Sequence, residues 1–544
     1  QPPPNAELAF TSVFARDGMV LDSTTTTVIR GTANAEAVTH LLVFILSVND
    51  TSNRIEMDGG AVTSVPDNHE WVVSFDLGNQ SITESMRSQT YKLHAWVQYS
   101  GDKTERVEIT NVKLGRVFHC SGQSNMEMPI ANSYDGVAGQ CGSDTSYVSP
   151  NDDQIRFLRV GDTSVDSHKT TTNVASLDEV SVAWEVRGSD SSFFSCPCFA
   201  FAQDVRNQDP STPIGLIDTA EGGTSIECYS GNASFAAGCD GDGCLYNKPG
   251  FGQQDGAALG VDTALEERLA AVEDLGLSAF LWYQGSADAK NTTQIQRYGC
   301  HMKALAGRFN VPFLYVDPFR NGGAQMFYSL RDEMSQAADY MSSSLDLFRV
   351  NVLDHWARDT NQSISSAIHP YGMHYKVGQS IANAWTRYVQ VGREALLDQQ
   401  TLEVVYNFDH ALIRPKDSSL TLTKICRDTD GTGDTPLKYV LDGATDYTQS
   451  VVSVDAASNH VRIDGRVKGV QIHWKNELNC VLLIDDKPAH PLKQCACGYS
   501  GDLCDTTGTC PPPPPNPPSL PSPPLSPPSY PPPSPLPSPP PTQP

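Results

Sequence analysis

The chain has 544 residues, 39% of them apolar, and a formal net charge of −25. That length allows roughly three or four domains and a large buried core. The acidity excludes a nucleic-acid partner, which needs a basic face to displace counterions, and argues equally against an anionic membrane surface. The longest apolar run, Leu41 to Leu46, is too short to span a bilayer and reads as a buried strand, so no membrane insertion is expected. Beginning at Gln1 rather than Met, the chain reads as a processed form without a leader.

Residues 1–113 form a first β domain. Short β-branched or aromatic runs at Thr25–Ile29, Leu41–Ser47, Trp71–Leu77 and Tyr91–Tyr99 are separated by Gly, Asn and Asp turns, the pattern of a small sandwich. From 114 to 395 apolar strands at Val117–Cys120, Ile214–Asp218, Ala279–Tyr283 and Phe313–Val316 alternate with helical stretches such as Asp262–Leu275 and Tyr375–Tyr388. Such alternation gives a largely parallel sheet with helices on both faces, whose sites lie at the carboxyl ends of the strands. Residues 396–493 return to short strands (Leu420–Ile425, Val451–Val454, Gly469–Trp474, Val481–Ile484) and form a second β domain.

Residues 494–510 are a small Cys-rich unit, in which the run from Cys495 and Cys497 to Cys504 resembles the second half of an EGF-like module. From Pro511 onward 21 of 34 residues are proline, so neither helix nor sheet core is expected, only polyproline II. Its Ser-Pro-Pro blocks resemble the hydroxyproline-rich glycoproteins of plant and green-algal walls. Fourteen cysteines, with no C-x2-C pair facing a second, read as disulfides rather than a zinc site, so no metal and no cofactor is expected. N-glycosylation triplets begin at Asn49, Asn79, Asn232, Asn291 and Asn361. Together they place the chain in a secreted, extracellular or wall-associated setting.

The chemistry is expected at Gly122-Gln123-Ser124-Asn125-Met126. A strand ends at Cys120, a glycine turn follows, and a helix begins at Ser124. This presents the serine Oγ at the top of the sheet, beside backbone N–H groups able to hold an oxyanion. Ser124 and Glu127 also fit a capping box, in which the serine only starts a helix.

The stretch resembles the nucleophile block of the sialate O-acetylesterase family within the SGNH hydrolases. Further blocks resemble that family in order: Phe14 to Leu21, Pro213 to Ile217, Gly222 to Glu227, Leu245 to Asn247, Trp282 to Gly285, and Ile368-His369-Pro370. The resemblance runs from about residue 10 to about 490. It implies an SGNH-type three-layer α/β/α core flanked by β-sandwich-like domains, with Ser124 as nucleophile and His369 as general base. It implies oxyanion and substrate contacts from the Ser124 and Gly223 backbone, the Gln284 amide, Gly222 and Asn125. Two positions depart from the family. Ser366 stands where an aspartate commonly orients the histidine, leaving that role to Asp354 or Asp359, or a Ser–His dyad leaning on a backbone carbonyl. Ser286 stands where an acid commonly follows Gln-Gly.

The function this implies is a carbohydrate O-acetylesterase acting through an acyl-enzyme on an acetylated sugar. A structural glycoprotein of a cell wall or extracellular fibre, assembling through the proline-rich tail, is the other reading. A sugar-binding module using aromatics such as Trp474 is a third, although core packing is the commoner fate of such a tryptophan. His301, His355 and His374 are expected to be surface or structural residues, and Cys120 a buried or bridged thiol.

Overall fold

In a computed structural model of the chain, the described residues are 8–33, 38–49, 54–56, 70–99, 103–130, 153–160, 184–186, 194–230, 239, 244–248, 252–255, 261–318, 327–339, 346–350, 352, 373–398 and, between 402 and 495, the strands named below. His369, Asp354, Asp359, Ser366, His355, Trp474, Asn232, Asn361, the predicted strand Val451–Val454, nearly all of the Cys-rich unit and the proline-rich tail lie outside them.

The core is a sheet in the order Glu185–Val186, Ile155–Arg159, Ile214–Asp218, Thr104–Gly122, Ala279–Tyr283, Phe313–Val316, Leu347–Val350. All its neighbours pair in parallel except the edge strand Glu185–Val186. Ile214–Asp218, Ala279–Tyr283 and Phe313–Val316 are buried at every position. This is why they read as continuous apolar runs rather than alternating ones.

Helices cover both faces, as expected. On one side Phe199 and Phe201 of the helix Cys196–Gln208 join Val377, Ile381 and Trp385 of the helix Met373–Asp398 over Phe118, Leu216 and Leu281. On the other, Leu265, Leu269, Tyr298, Met302, Leu330 and Met334 of three helices pack over Phe280, Trp282 and Phe313.

The amino-terminal region is a β unit but not a separate body. The strand Thr104–Gly122 runs through the expected boundary at 113/114. Its first half pairs antiparallel with Tyr91–Tyr99, and its second half is the centre of the parallel sheet. One apolar cluster joins Phe14, Leu21, Ile29, Val43, Trp71 and Leu93 to Val117, Leu158 and Ile217. Polar ties reinforce the joint. Asp22 Oδ2 accepts from the Val117 N–H at 2.8 Å and from Ser278 Oγ. The buried Arg156 donates to Gly18 O at 2.8 Å and to Asn111 Oδ1 at 2.9 Å. The segment Phe14 to Leu21 is therefore a structural joint. Gly18 has φ +82°, and a Cβ there would sit 2.8 Å from Trp184 O.

After the helix Met373–Asp398 the chain returns to antiparallel strands: Leu402–Tyr406, His410–Pro415 and Val461–Asp464; Leu422–Cys426, Cys480–Ile484 and Lys487–Pro488; Leu437–Leu441, Thr448–Gln449, Val467–Ile472 and Leu492–Cys495. Disulfides join Cys120 to Cys198, Cys228 to Cys244 and Cys239 to Cys300. The first ties the central strand to its covering helix. Closing its 78-residue separation contributes about 4.5 kcal/mol in a chain-entropy account.

Candidate active site

The central strand ends at Gly122, whose φ is +136°. A Cβ there would lie 2.3 Å from Tyr283 O, so only glycine allows the two strand ends to approach this closely. The turn hands the chain to a single helical turn, Ser124–Glu127. Ser124 is half-buried at its first position, whereas Asn125, Met126 and Glu127 are buried. The capping residue is Gln123, with extended backbone and no side-chain cap bond. Ser124 is thus not the N-cap, and the capping-box reading fails. Glu127 instead lies 3.7 Å from Arg159 at the end of a neighbouring strand.

Gly222 and Gly223 come to the serine from the loop after Ile214–Asp218. A Cβ on Gly222 would meet Ser124 Cβ at 3.3 Å and Glu127 Oε2 at 2.8 Å. Gly223 takes φ +82°. The loop is pinned over the strand end: the Glu221 N–H donates to Gly122 O at 2.9 Å, and the Tyr229 hydroxyl donates to the same oxygen. It is also tied to the strand Leu245–Lys248, through Ser225 N–H to Leu245 O at 2.9 Å.

Gln284 follows the adjacent strand Ala279–Tyr283 and is buried. Its amide nitrogen faces three acceptors: Thr224 O at 2.9 Å, Gln123 Oε1 at 3.2 Å and Asp288 Oδ2. Through these contacts the amide, expected at the oxyanion, bridges the loops around Ser124. Its carbonyl oxygen accepts from the Tyr298 hydroxyl at 2.7 Å. Asn125, expected at the substrate, is buried, with Oδ1 2.9 Å from Nε2 of the buried His374.

Ser286 is buried, and the carboxylate of this loop comes from Asp288, two residues on, which had no part in the sequence expectation. A carboxylate just past a Gln-Gly turn was the available signal. Desolvation pushes Asp288 up to about 7, against hydrogen bonds from Gln284 and Ile226. Desolvation likewise raises Asp218 to about 6, offset in part by Arg159. His301 is buried rather than superficial, with Nδ1 2.7 Å from Ser230 Oγ and Nε2 3.6 Å from Glu227. Cys120 is bridged. Of the expected glycosylation acceptors, Asn49 and Asn79 are exposed, while Asn291 is half-buried and caps the helix Thr292–Phe309 through its Oδ1.

Ser124 thus stands at a strand-to-helix turn, beside a glycine loop at the carboxyl edge of the parallel sheet, where sites of α/β folds lie. Residues 114–313 match the family model described as carbohydrate esterase, sialic acid-specific acetylesterase. The chain is 26% identical to the sialate O-acetylesterase of Pongo abelii over 207 residues, 37% of this chain and 36% of that protein. The human sialate O-acetylesterase is 25% identical over a stretch of the same size. The match thus spans about a third of the length of these curated relatives. The crystal structure of a carbohydrate acetylesterase from Xanthomonas citri shares the fold, with a TM-score of 0.62 and 17% identity, covering 90% of this chain and 99% of that one. The family match and the relatives support an esterase. Among the described residues no helix is long and apolar enough to cross a membrane.

Proposed function

We propose that the protein is a secreted serine carbohydrate O-acetylesterase. The observation that carries this reading is Ser124 at the end of the central strand with Gly222 packed directly against it. The acetyl carbonyl of the substrate sits over Ser124 Oγ. His369, as general base, takes the hydroxyl proton while Oγ attacks the carbonyl carbon. Asp354 or Asp359 orients the imidazole. The oxyanion is held by the backbone N–H groups of Ser124 and Gly223, an arrangement in which removing one donor costs on the order of 10²–10³ in turnover. The imidazolium then protonates the departing sugar oxygen, leaving acetyl-Ser124. Water, deprotonated by His369, then attacks the acyl carbon; the Oγ–acyl bond breaks, the imidazolium returns its proton to Ser124 Oγ, and acetate leaves.

The substrate class is a sugar carrying an O-acetyl ester. A net charge of −25 gives an anionic sugar no long-range attraction, so a neutral acetylated polysaccharide suits the surface at least as well as a sialic acid. Disulfides and the glycosylation triplets at Asn49, Asn79, Asn232, Asn291 and Asn361 favour an extracellular setting.

The test is acetate release from 4-nitrophenyl acetate and from acetylated xylan by the purified full chain. Ser124→Ala is expected to lower kcat by at least about 10³-fold with the fold intact. Equal rates in the variant and the native chain would refute the reading.

A further inference from the structure

Asp288 opens the short 3-10 turn Asp288–Lys290 and is fully buried. Its two carboxylate oxygens go to different loops. Oδ1 accepts from the Ile226 N–H at 3.1 Å, on the segment that follows Gly222 and Gly223. Oδ2 accepts from Gln284 Nε2. Gln284 in turn donates to Gln123 Oε1, the side chain directly before the nucleophile, and to Thr224 O. The same Gln123 oxygen accepts from the Ala287 N–H at 3.1 Å and the Gly285 N–H at 3.4 Å. On the far side Trp282 Nε1 donates to the Tyr298 hydroxyl at 3.0 Å, and Tyr298 donates to Gln284 Oε1. Every donor in this network thus has an acceptor, and the one carboxylate in it is the point where the glycine loop and the Gln284 loop meet.

We propose that Asp288 is a positioning residue for the esterase reaction: by bridging the Ile226 amide and the Gln284 side chain it sets the Gly222–Gly223 loop and Gln123 in register around Ser124. This rests on the esterase reading of Ser124. A joint that only filled space would be satisfied by an apolar side chain, since a buried carboxylate is costly to desolvate. An acceptor-only group is needed here because both partners are N–H donors. Burial raises its proton affinity, and the two donated bonds act against that in part.

Asp288→Asn separates positioning from bulk packing. It is isosteric and keeps an oxygen for Ile226, but turns an amide donor toward the amide donor of Gln284. In the full chain, with 4-nitrophenyl acetate as probe, kcat is expected to fall about 10- to 100-fold with KM within about threefold. Amide exchange at Ile226 is expected to accelerate in the same variant. A folded Asp288→Asn with native kcat, beside an inactive Ser124→Ala, would overturn the role of Asp288 alone. An active Ser124→Ala would remove the esterase reading and this role with it. Should Asp288→Asn fail to fold, Tyr298→Phe removes the opposite tether of the same Gln284. A fall in kcat of about fivefold or more at constant KM supports the proposal, and native kcat overturns it.

Discussion

Asp218 shows what a single buried group at this site does to the chain. It ends the strand Ile214–Asp218, with Oδ1 accepting from the Ala220 N–H at 3.0 Å and Oδ2 without a hydrogen-bond partner among the described residues. Desolvation first, then the nearby Glu127, raises its carboxyl to about 6, while Arg159, the Ala220 amide and Arg268 pull the other way. In the unfolded chain the same carboxyl titrates near 4. The folded form therefore holds a proton that the unfolded form releases. The stability this gives is complete below about pH 4 and is lost as pH rises through 6. Asp218→Asn keeps the shape and cannot ionise. The difference in Tm between Asp218→Asn and the native chain is expected to widen, in favour of the variant, by roughly 3 °C or more from pH 4.5 to 7.5. His119, buried and lowered to about 3 by desolvation, has the opposite pH dependence but is common to both proteins and cancels. Parallel Tm curves would contradict this account.

Among elements, the site depends on how the glycine loop lies against the single turn Ser124–Glu127. A Cβ at Gly222 would meet both Ser124 and Glu127, and Glu127 is in turn near Arg159. A methyl group at 222 forces the Glu127 carboxylate aside and lifts the loop from Ser124. Gly222→Ala is expected to lower kcat/KM for 4-nitrophenyl acetate at least about tenfold while costing about 1 kcal/mol of stability. Gly276→Ala is the control. Its Cβ would strike Thr25 Oγ1 and Thr26 O at the joint with the amino-terminal strands, far along the chain from the turn at Ser124. It is expected to lower Tm and leave the kcat of the folded protein unchanged. These contacts were only partly legible beforehand. Ala279–Tyr283 and Phe313–Val316 read correctly because fully buried parallel strands are continuous apolar runs. Ile155–Arg159 did not, because arginines punctuate it: the buried Arg156 finds acceptors on Gly18 and Asn111, more than 40 residues away in sequence, as well as on Asp153.

For the molecule as a whole, the strand Thr104–Gly122 makes the amino-terminal unit and the α/β core one folding problem. The antiparallel partners of its first half come from residues 91–98, and the apolar cluster is continuous across both halves. Arg30 pairs with Asp274, and the Val28 N–H donates to Asp274 O at 2.7 Å, closing the joint from the opposite edge. A chain beginning at residue 114 leaves Val117, Leu158 and Ile217 without their covering layer. Removing residues 1–113 is expected to give insoluble protein or a loss of the cooperative thermal transition, whereas a freely separable domain would leave a soluble, active core. Sedimentation and a melting curve decide between these outcomes.

By itself, the sequence determined the layer architecture, the use of its cysteines as disulfides and the place of Ser124 at a strand-to-helix turn. Each of these is written in local information: the period of apolar residues, the spacing of cysteines, a glycine turn between strand and helix. Only the tertiary structure decided that one strand, Thr104–Gly122, runs from the amino-terminal β unit into the parallel sheet, that the Gln284 amide bridges Gln123, Thr224 and Asp288, and that Asp288 joins the two loops. Those outcomes depend on which donor meets which acceptor across separations of 60 to 160 residues. A buried hydrogen bond is fixed by the packing around it, and no local pattern along the chain encodes that packing.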